Sequence, residues 1–274
     1  MKKILSLVMA VLMLTTALAG CGNKTEDVAE GYVVLEETLV DEEFGIGFRD
    51  GDVLCEQVNA ALKVLKANGT VAKISESWFG GDITIIEADE TALDGMTDIT
   101  PRTFILGLDD SFPPMGYRDD ENNIVGFDIN LAQAVCDLLG WTLELQPISW
   151  DAKEMELQSG NIDCIWNGMT LTEKRMETMS CSDPYLSNEQ VVVVMASSGY
   201  DSLNDLSGKK VALQTDSSAE EALNSEEHAG LKESLSEVVA YGNYMQCFMD
   251  LEQGGVDAVI VDSVVADWYI NTNS

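Results

Sequence analysis

The sequence predicts an α/β protein built as two lobes, on three observations. Short β-branched runs alternate along the chain with amphipathic stretches, the pattern of largely parallel sheets covered by helices. A length of 274 residues is enough for two units that each bury a core. With 46% apolar and 23% charged residues, the composition is that of an ordinary folded protein and not of a disordered chain.

Taken in order, the chain opens on the basic pair Lys2 and Lys3 and an apolar stretch over residues 4–18, too short for a stable bilayer span. Together these read as a secretory signal over residues 1–20. The segment ends Leu18-Ala19-Gly20-Cys21, which is similar to the bacterial lipobox, whose Cys thiol is acylated and becomes the mature N-terminus. Two or more acyl chains suffice for stable anchoring. The expected product is therefore lipid-anchored through Cys21 on the extracytoplasmic face of the cell membrane, with residues 21–31 as a tether. Strand candidates follow at 32–36, 44–49, 103–108, 142–148, 162–166, 190–195, 210–214, 238–241 and 256–261, and helices fill most of the gaps. The clearest helix starts near Asp52 as N-cap, sets Leu54, Val58, Ala61, Leu62 and Leu65 on one face and stops at Asn68-Gly69. Another covers residues 128–139 and ends at Gly140. Residues 81–102 are acidic and threonine-rich, with Gly95 and Pro101, and read as a linker.

The formal charge of −33 becomes −35 once Lys2 and Lys3 are removed, which disfavours nucleic acid as a partner. Apart from Cys21 the cysteines are Cys55, Cys136, Cys164, Cys181 and Cys247, with no C-x-x-C spacing, so no zinc site is suggested. Buried free thiols are the preferred reading, with one disulfide left open. His228 is the sole histidine and lies in a polar stretch, so neither a His-based metal centre nor a Ser/His or Cys/His nucleophile is available. No cofactor or metal is expected.

From Gly107 onward the chain carries Asp109-Asp-Ser-Phe-Pro-Pro114, Val125-Gly-Phe-Asp-Ile-Asn-Leu-Ala132, Leu157-Gln-Ser-Gly-Asn-Ile-Asp163, Gly168-Met-Thr-Leu-Thr-Glu-Lys-Arg175, Ser182-Asp-Pro-Tyr185 and Val256-Asp-Ala-Val-Ile-Val-Asp262. In these it resembles the polar amino acid substrate-binding proteins of ABC importers, solute-binding family 3. Elements that close the family's chain stand here at the front, as Phe44-Gly-Ile-Gly-Phe-Arg49 and Asn68-Gly-Thr-Val-Ala-Lys-Ile-Ser-Glu-Ser-Trp-Phe-Gly80. The resemblance thus implies a circularly permuted, two-lobed periplasmic-binding-protein-like fold of type II, its lobes joined by hinge strands. Lobe 1 would be residues 44–186, with the linker 81–102 joining the old termini, and lobe 2 residues 32–43 plus 187–274. Hinge crossings are expected near Glu43 and Asn188. Domain termini often lie close together on the surface, so reordering of this kind costs little core.

A free amino acid needs an anion site, a cation site and a shaped pocket, and such groups cluster beyond the carboxyl ends of strands. The resemblance places the ligand's α-carboxylate on Arg175, whose planar fork can hold it bidentately. Ser217-Ser-Ala-Glu220 fits a capping box, Ser217 to the N3 amide and Glu220 back to the cap. Relatives also use this turn for the carboxylate, and both roles hold if Ser218 faces the cleft. Asp216 replaces a frequent Gly there. Asp262 reads as an N-cap and corresponds to the family's carboxylate for the α-ammonium. Gly168, through carbonyl and amide, and Thr170 complete the clamp, with Asn167 in place of a more usual Ser. Phe112 and Trp150 match the positions that sandwich the ligand side chain, and Asp109 aligns with an acid that meets a distal charge. The implied function is capture of a polar or cationic amino acid by a monomer that delivers it to an ABC permease. Two alternatives stay open: a dehydratase of the same fold acting on a prephenate-like acid, and a sensor that docks to a membrane receptor.

Overall fold

The computed structural model describes residues 31–272, so the signal segment, Cys21 and residues 22–30 of the tether lie outside the described residues. In chain order the elements are β1 (Tyr32–Val34), β2 (Val40–Phe48), α1 (Leu54–Ala67), α2 (Thr70–Phe79), β3 (Thr103–Leu108), β4 (Ser111–Phe112), β5 (Gly116–Arg118), β6 (Ile124–Val125) and α3 (Phe127–Leu139). There follow β7 (Thr142–Pro147), α4 (Lys153–Ser159), β8 (Cys164–Thr170), α5 (Glu173–Thr178), β9 (Ser180–Cys181) and β10 (Leu186–Met195). The last are β11 (Lys210–Gln214), α6 (Ser218–Leu223), α7 (Ala229–Ser234), β12 (Glu237–Tyr241), α8 (Tyr244–Gln253), β13 (Ala258–Asp262) and α9 (Ser263–Thr272).

These elements form two α/β halves. In one, β3 pairs parallel with β7 and β8; in the other, β11 pairs parallel with β12 and β13. The halves share β2 and β10, an antiparallel pair whose register sets Glu42 opposite Asn188 and Glu43 opposite Ser187. Beyond that crossing β2 continues against β8 and β10 against β13, so the order runs β12-β11-β13-β10-β2-β8-β3-β7. β8 is buried at every position, as a strand covered on both faces must be, and its sequence is accordingly almost all apolar before the motif at Asn167.

Both shared strands begin earlier than the hydrophobic pattern predicts. Apart from Val40 and the core residue Leu186, their added residues, Asp41 to Glu43 and Ser187 to Glu189, are polar and form the crossing. Backbone ladders are indifferent to side-chain hydropathy, so such residues carry no strand signal. β8 likewise extends through Asn167–Thr170, which the sequence places after the strand. The small sheet β4-β5-β6 was not predicted, its strands being too short to show an alternation. Helix α1 buries the predicted stripe of Leu54, Val58, Ala61, Leu62 and Leu65. Asp52 holds its first turn from one residue further out, Oδ1 accepting from the Leu54 amide at 3.1 Å. Gly140, at φ 71°, ends α3 in the left-handed region that glycine alone enters freely.

The linker over 81–102 contains no helix, but it does not hang free. Thr84 bridges to Leu186, the Ile85 amide donates to the Tyr185 carbonyl at 3.0 Å, and the Asp89 amide to that of Lys63 at 3.2 Å. Ile86 is buried between these anchors. All five cysteines among the described residues are free thiols, and burial pushes those of Cys55, Cys136 and Cys247 up to about 12, far from reactivity.

Candidate functional site

Where the two halves face each other lies a small, nearly closed cavity lined by Asp109, Phe112, Trp150, Asn167, Gly168, Thr170, Arg175, Gln214, Ser217, Ser218, Tyr244 and Asp262. Each of the predicted site residues is among them. Topology explains the convergence: β3 delivers Asp109 and Phe112, β7 Trp150, β8 Asn167 to Thr170, β11 Gln214 to Ser218, and β13 Asp262, all at or beyond carboxyl ends of strands.

Arg175 sits in the short helix α5, held there by Thr172, whose side chain caps the helix by accepting from the Arg175 amide. It is 4% exposed. One terminal nitrogen donates to the Thr170 carbonyl at 2.9 Å and the other to the Asp216 carbonyl at 3.4 Å. The guanidinium is thus fixed by backbone oxygens from both halves, with its remaining donors left for an anion. Asp262, at the end of β13, accepts from Asn188 Nδ2 and Gln190 Nε2, each at 2.8 Å. Burial, and then the neighbouring charge of Glu42, hold its carboxyl well above the usual carboxylate range. The cavity therefore has a cationic pole at Arg175 and an acidic pole at Asp262, carried by opposite halves.

Asp109 is anchored by the Ser111 hydroxyl and amide and reaches across the cleft to Gln214 Nε2 at 2.7 Å. Burial raises its pKa above the ordinary value. Phe112 and Trp150 are nearly buried and line the cavity, with Phe112 meeting Tyr244 at 5.8 Å between ring centroids. A side chain at Gly168, where φ is 57°, would strike the Phe112 ring at 2.6 Å, so glycine is required both sterically and conformationally. The Gly168 amide donates to Asp128 Oδ2 at 2.7 Å, leaving the carbonyl as its polar group for a ligand. Burial pushes Asp128 up to about 7 even though Gly168 and Tyr185 donate to it.

Ser217 caps α6, accepting from the Glu220 amide at 3.2 Å, while its own hydroxyl donates to the Gln214 carbonyl. The return bond of the expected box falls one residue earlier: Glu220 accepts from the Asp216 amide and not from Ser217. Ser218 faces the cleft, 3.0 Å from the Thr170 hydroxyl.

Asp216, at φ 55°, meets a cation that sequence reasoning did not single out. Lys153 on α4 is 1% exposed and donates to the Asp216 carboxylate and carbonyl and to the Trp150 carbonyl. Its nitrogen also stands 5.0 Å from the centre of the Trp150 ring. All three ammonium donors are spent, so Lys153 fastens one half to the other and has none left for a ligand. Gln214 and Tyr244 were also missed. Gln214 reads as the end of a strand, and Tyr244 as a helix-face aromatic; only the fold brings the buried Tyr244 to the cavity wall.

Comparison with known proteins comes down on the same region. Residues 104–241 match the family model of bacterial extracellular solute-binding proteins, family 3. The chain is 28% identical over 168 residues to ABC transporter arginine-binding protein 1 of Escherichia coli (strain K12), covering 61% of this chain and 66% of that protein. It is 30% identical over 166 residues to the L-cystine-binding protein TcyJ of the same organism, covering 60% of each. The matched run spans less than two thirds of these relatives. Among solved structures, an ABC uptake transporter substrate-binding protein from Streptococcus pneumoniae with bound histidine is 36% identical with a TM-score of 0.60, covering 62% of this chain and 70% of that one. An ancestral arginine-binding protein bound to arginine is 39% identical with a TM-score of 0.57, covering 62% and 74%.

Proposed function

Because the chain belongs to the bacterial extracellular solute-binding proteins, family 3, we propose that it captures a free amino acid between its two lobes and delivers it to an ABC importer. The observation that carries this is the charge layout of the cavity. Arg175 and Asp262 stand on opposite lobes, as the two ends of a zwitterion require, and the aromatic Phe112 and Trp150 line the same cavity. Asp109 and Glu42 add acids that no Lys or Arg among the described residues neutralises by an ion pair. That surplus favours a ligand with a cationic side chain, with L-arginine the first candidate, in keeping with relatives named for arginine and histidine. Closure about the crossing of β2 and β10 then buries the ligand and presents one shape to the permease.

Several features support a circularly permuted order. Helix α9, where the described chain ends, packs against β1, where it begins. Residues 32–79 supply β1, β2, α1 and α2 to the same sheet and helical layer, yet they lie outside the family match over 104–241. In this reading residues 44–186 form lobe 1, with 81–102 bridging the old termini, and 32–43 with 187–274 form lobe 2. Anchoring through an acylated Cys21 would tether the protein through lobe 2, as a monomer, at the extracytoplasmic face of the membrane.

A thermal-shift screen of single L-amino acids tests the function. A ligand present at about a thousand times its Kd stabilises the folded state by roughly 4 kcal/mol. In a protein of this size that raises the melting temperature by on the order of 10 °C. L-Arginine or a close analogue should give the largest shift; none from any L-amino acid at millimolar concentration refutes the proposal. Lys153→Met should keep the fold, since it preserves length and apolar volume, but weaken ligand binding about tenfold by removing the bond between lobes. Stopped-flow measurement should show the change in dissociation and not in association, because the bond forms only on closure.

A further inference from the structure

At the hinge end of the cavity two carboxyls meet without a cation between them. Asp262 Oδ1 accepts from Asn188 Nδ2 and Gln190 Nε2 at 2.8 Å, and Glu42 Oε2 accepts from the same two nitrogens at 3.1 and 3.0 Å. Glu42 Oε2 also takes the hydroxyls of Thr170 at 3.0 Å and Ser218 at 3.4 Å, both cavity-lining. Beside them Gln190, 0% exposed, has a side-chain oxygen that accepts no hydrogen bond from the described residues. Acceptors therefore crowd this pole. A buried carboxylate without a cation is costly, and two that lean on the same donors do not both ionise readily.

The surroundings do not relieve this. Arg175 acts on Glu42 only through space, its bonds going to the Thr170 and Asp216 carbonyls. Lys153 is paired with Asp216. Tyr244 faces Asp262 from α8 as a neutral hydroxyl, its ionisation suppressed by burial and by that acid. Asp109 lines the same cavity, and Asp41, Glu43, Glu189 and Asp267 line an open groove at the hinge, adding negative charge only. Burial raises both Glu42 and Asp262, and Glu42 raises Asp262 further.

We propose, resting on the amino-acid-binding reading above, that Glu42 is a second carboxylate for the ligand's ammonium group, and that the empty site keeps a proton on the Glu42–Asp262 pair which the arriving ammonium displaces. The balance is simple: the ligand enters with its ammonium intact, the pair goes from one shared proton to two carboxylates, and one proton leaves to water. Glu42 is hydrogen-bonded to the cavity-lining Thr170 and Ser218 on one side and itself lines the open hinge groove on the other, which gives that proton an exit. The bound state holds fewer protons than the free one, so affinity rises with pH wherever the empty pair is protonated. Selectivity follows as well: a hydroxy or keto acid of the same shape brings no cation and leaves the acids unrelieved.

Titration calorimetry with L-arginine, in buffers of different ionisation enthalpy between pH 5 and 8, reads the proton directly. The protein should release up to about one proton per ligand at some pH in that range, with affinity rising up to roughly tenfold per pH unit there. Glu42→Gln should bind more weakly, release close to none and lose the pH dependence, with circular dichroism showing the fold retained. A purely structural role for Glu42 would alter affinity but not the proton count. Tight L-arginine binding without proton release at any of these pH values, or undiminished release in Glu42→Gln, overturns the proposal. Absence of binding by every L-amino acid would instead bring down the underlying functional reading, and this one with it.

Discussion

Arg175→Ala is expected to abolish amino acid capture, weakening it by a factor of about a thousand or more while the protein still folds. Truncating one partner of a buried, hydrogen-bonded charge pair costs about 2–5 kcal/mol, which is roughly 30-fold to several thousand-fold in Kd. Arg175 belongs at the upper end because its guanidinium is already positioned by the Thr170 and Asp216 carbonyls, so a carboxylate gains its bonds without further ordering of the side chain. Arg175→Lys should not restore binding, since an ammonium cannot reach both backbone oxygens and a carboxylate through one planar fork. The check is the melting shift with ligand, set beside an unchanged far-ultraviolet circular dichroism spectrum. A retained shift would remove the anion site from the proposed mechanism.

The second large effect concerns stability. Asp128 is fully buried, and it organises the cavity floor by accepting from the Gly168 amide at 2.7 Å and the Tyr185 hydroxyl at 3.0 Å. Asp128→Ala leaves both donors unpaired in the core and should cost on the order of 3 kcal/mol. The native acid has its own pH signature. Its pKa, pushed up to about 7 by burial, exceeds the unfolded value of about 3.8, so the folded state holds the proton more tightly. Its stabilising contribution is complete below about pH 4 and is lost as pH rises towards about 7. Asp128→Asn keeps an acceptor for both donors but does not titrate. Between pH 5 and 7.5 its stability relative to the native protein should therefore gain roughly 3 kcal/mol, measured by urea unfolding. A constant difference across that range would mean that Asp128 is ionised throughout.

Much of the fold was legible because burial leaves a periodic trace. The stripe on α1, the apolar runs of β3 and β11 and the glycine stops at Gly69 and Gly140 mark elements whose side chains meet a core. The hinge halves of β2 and β10 were not legible. Asp41 to Glu43 and Ser187 to Glu189 are polar, and the buried Asn188 among them meets the carboxyls of Glu42 and Asp262 and not an apolar core, so the crossing writes no hydrophobic alternation into the sequence. The cavity divides in the same way. Residues within contiguous motifs, such as Asn167, Gly168, Thr170 and Arg175, were named in advance, whereas Lys153 was passed over as an ordinary helical lysine and Glu42 as one of a run of acids.

By itself the sequence determined the α/β class, the excess of negative charge and the resemblance that names the candidate residues, because composition, periodicity and motif spacing are local properties of the chain. What only the tertiary structure decided is which of those residues meet. Asp216 is balanced by Lys153 from the other lobe, and Asp262 shares its donors with Glu42 on a strand far away in sequence. Electrostatic free energy depends on distance through space and on burial, and neither can be read along a chain until it has folded.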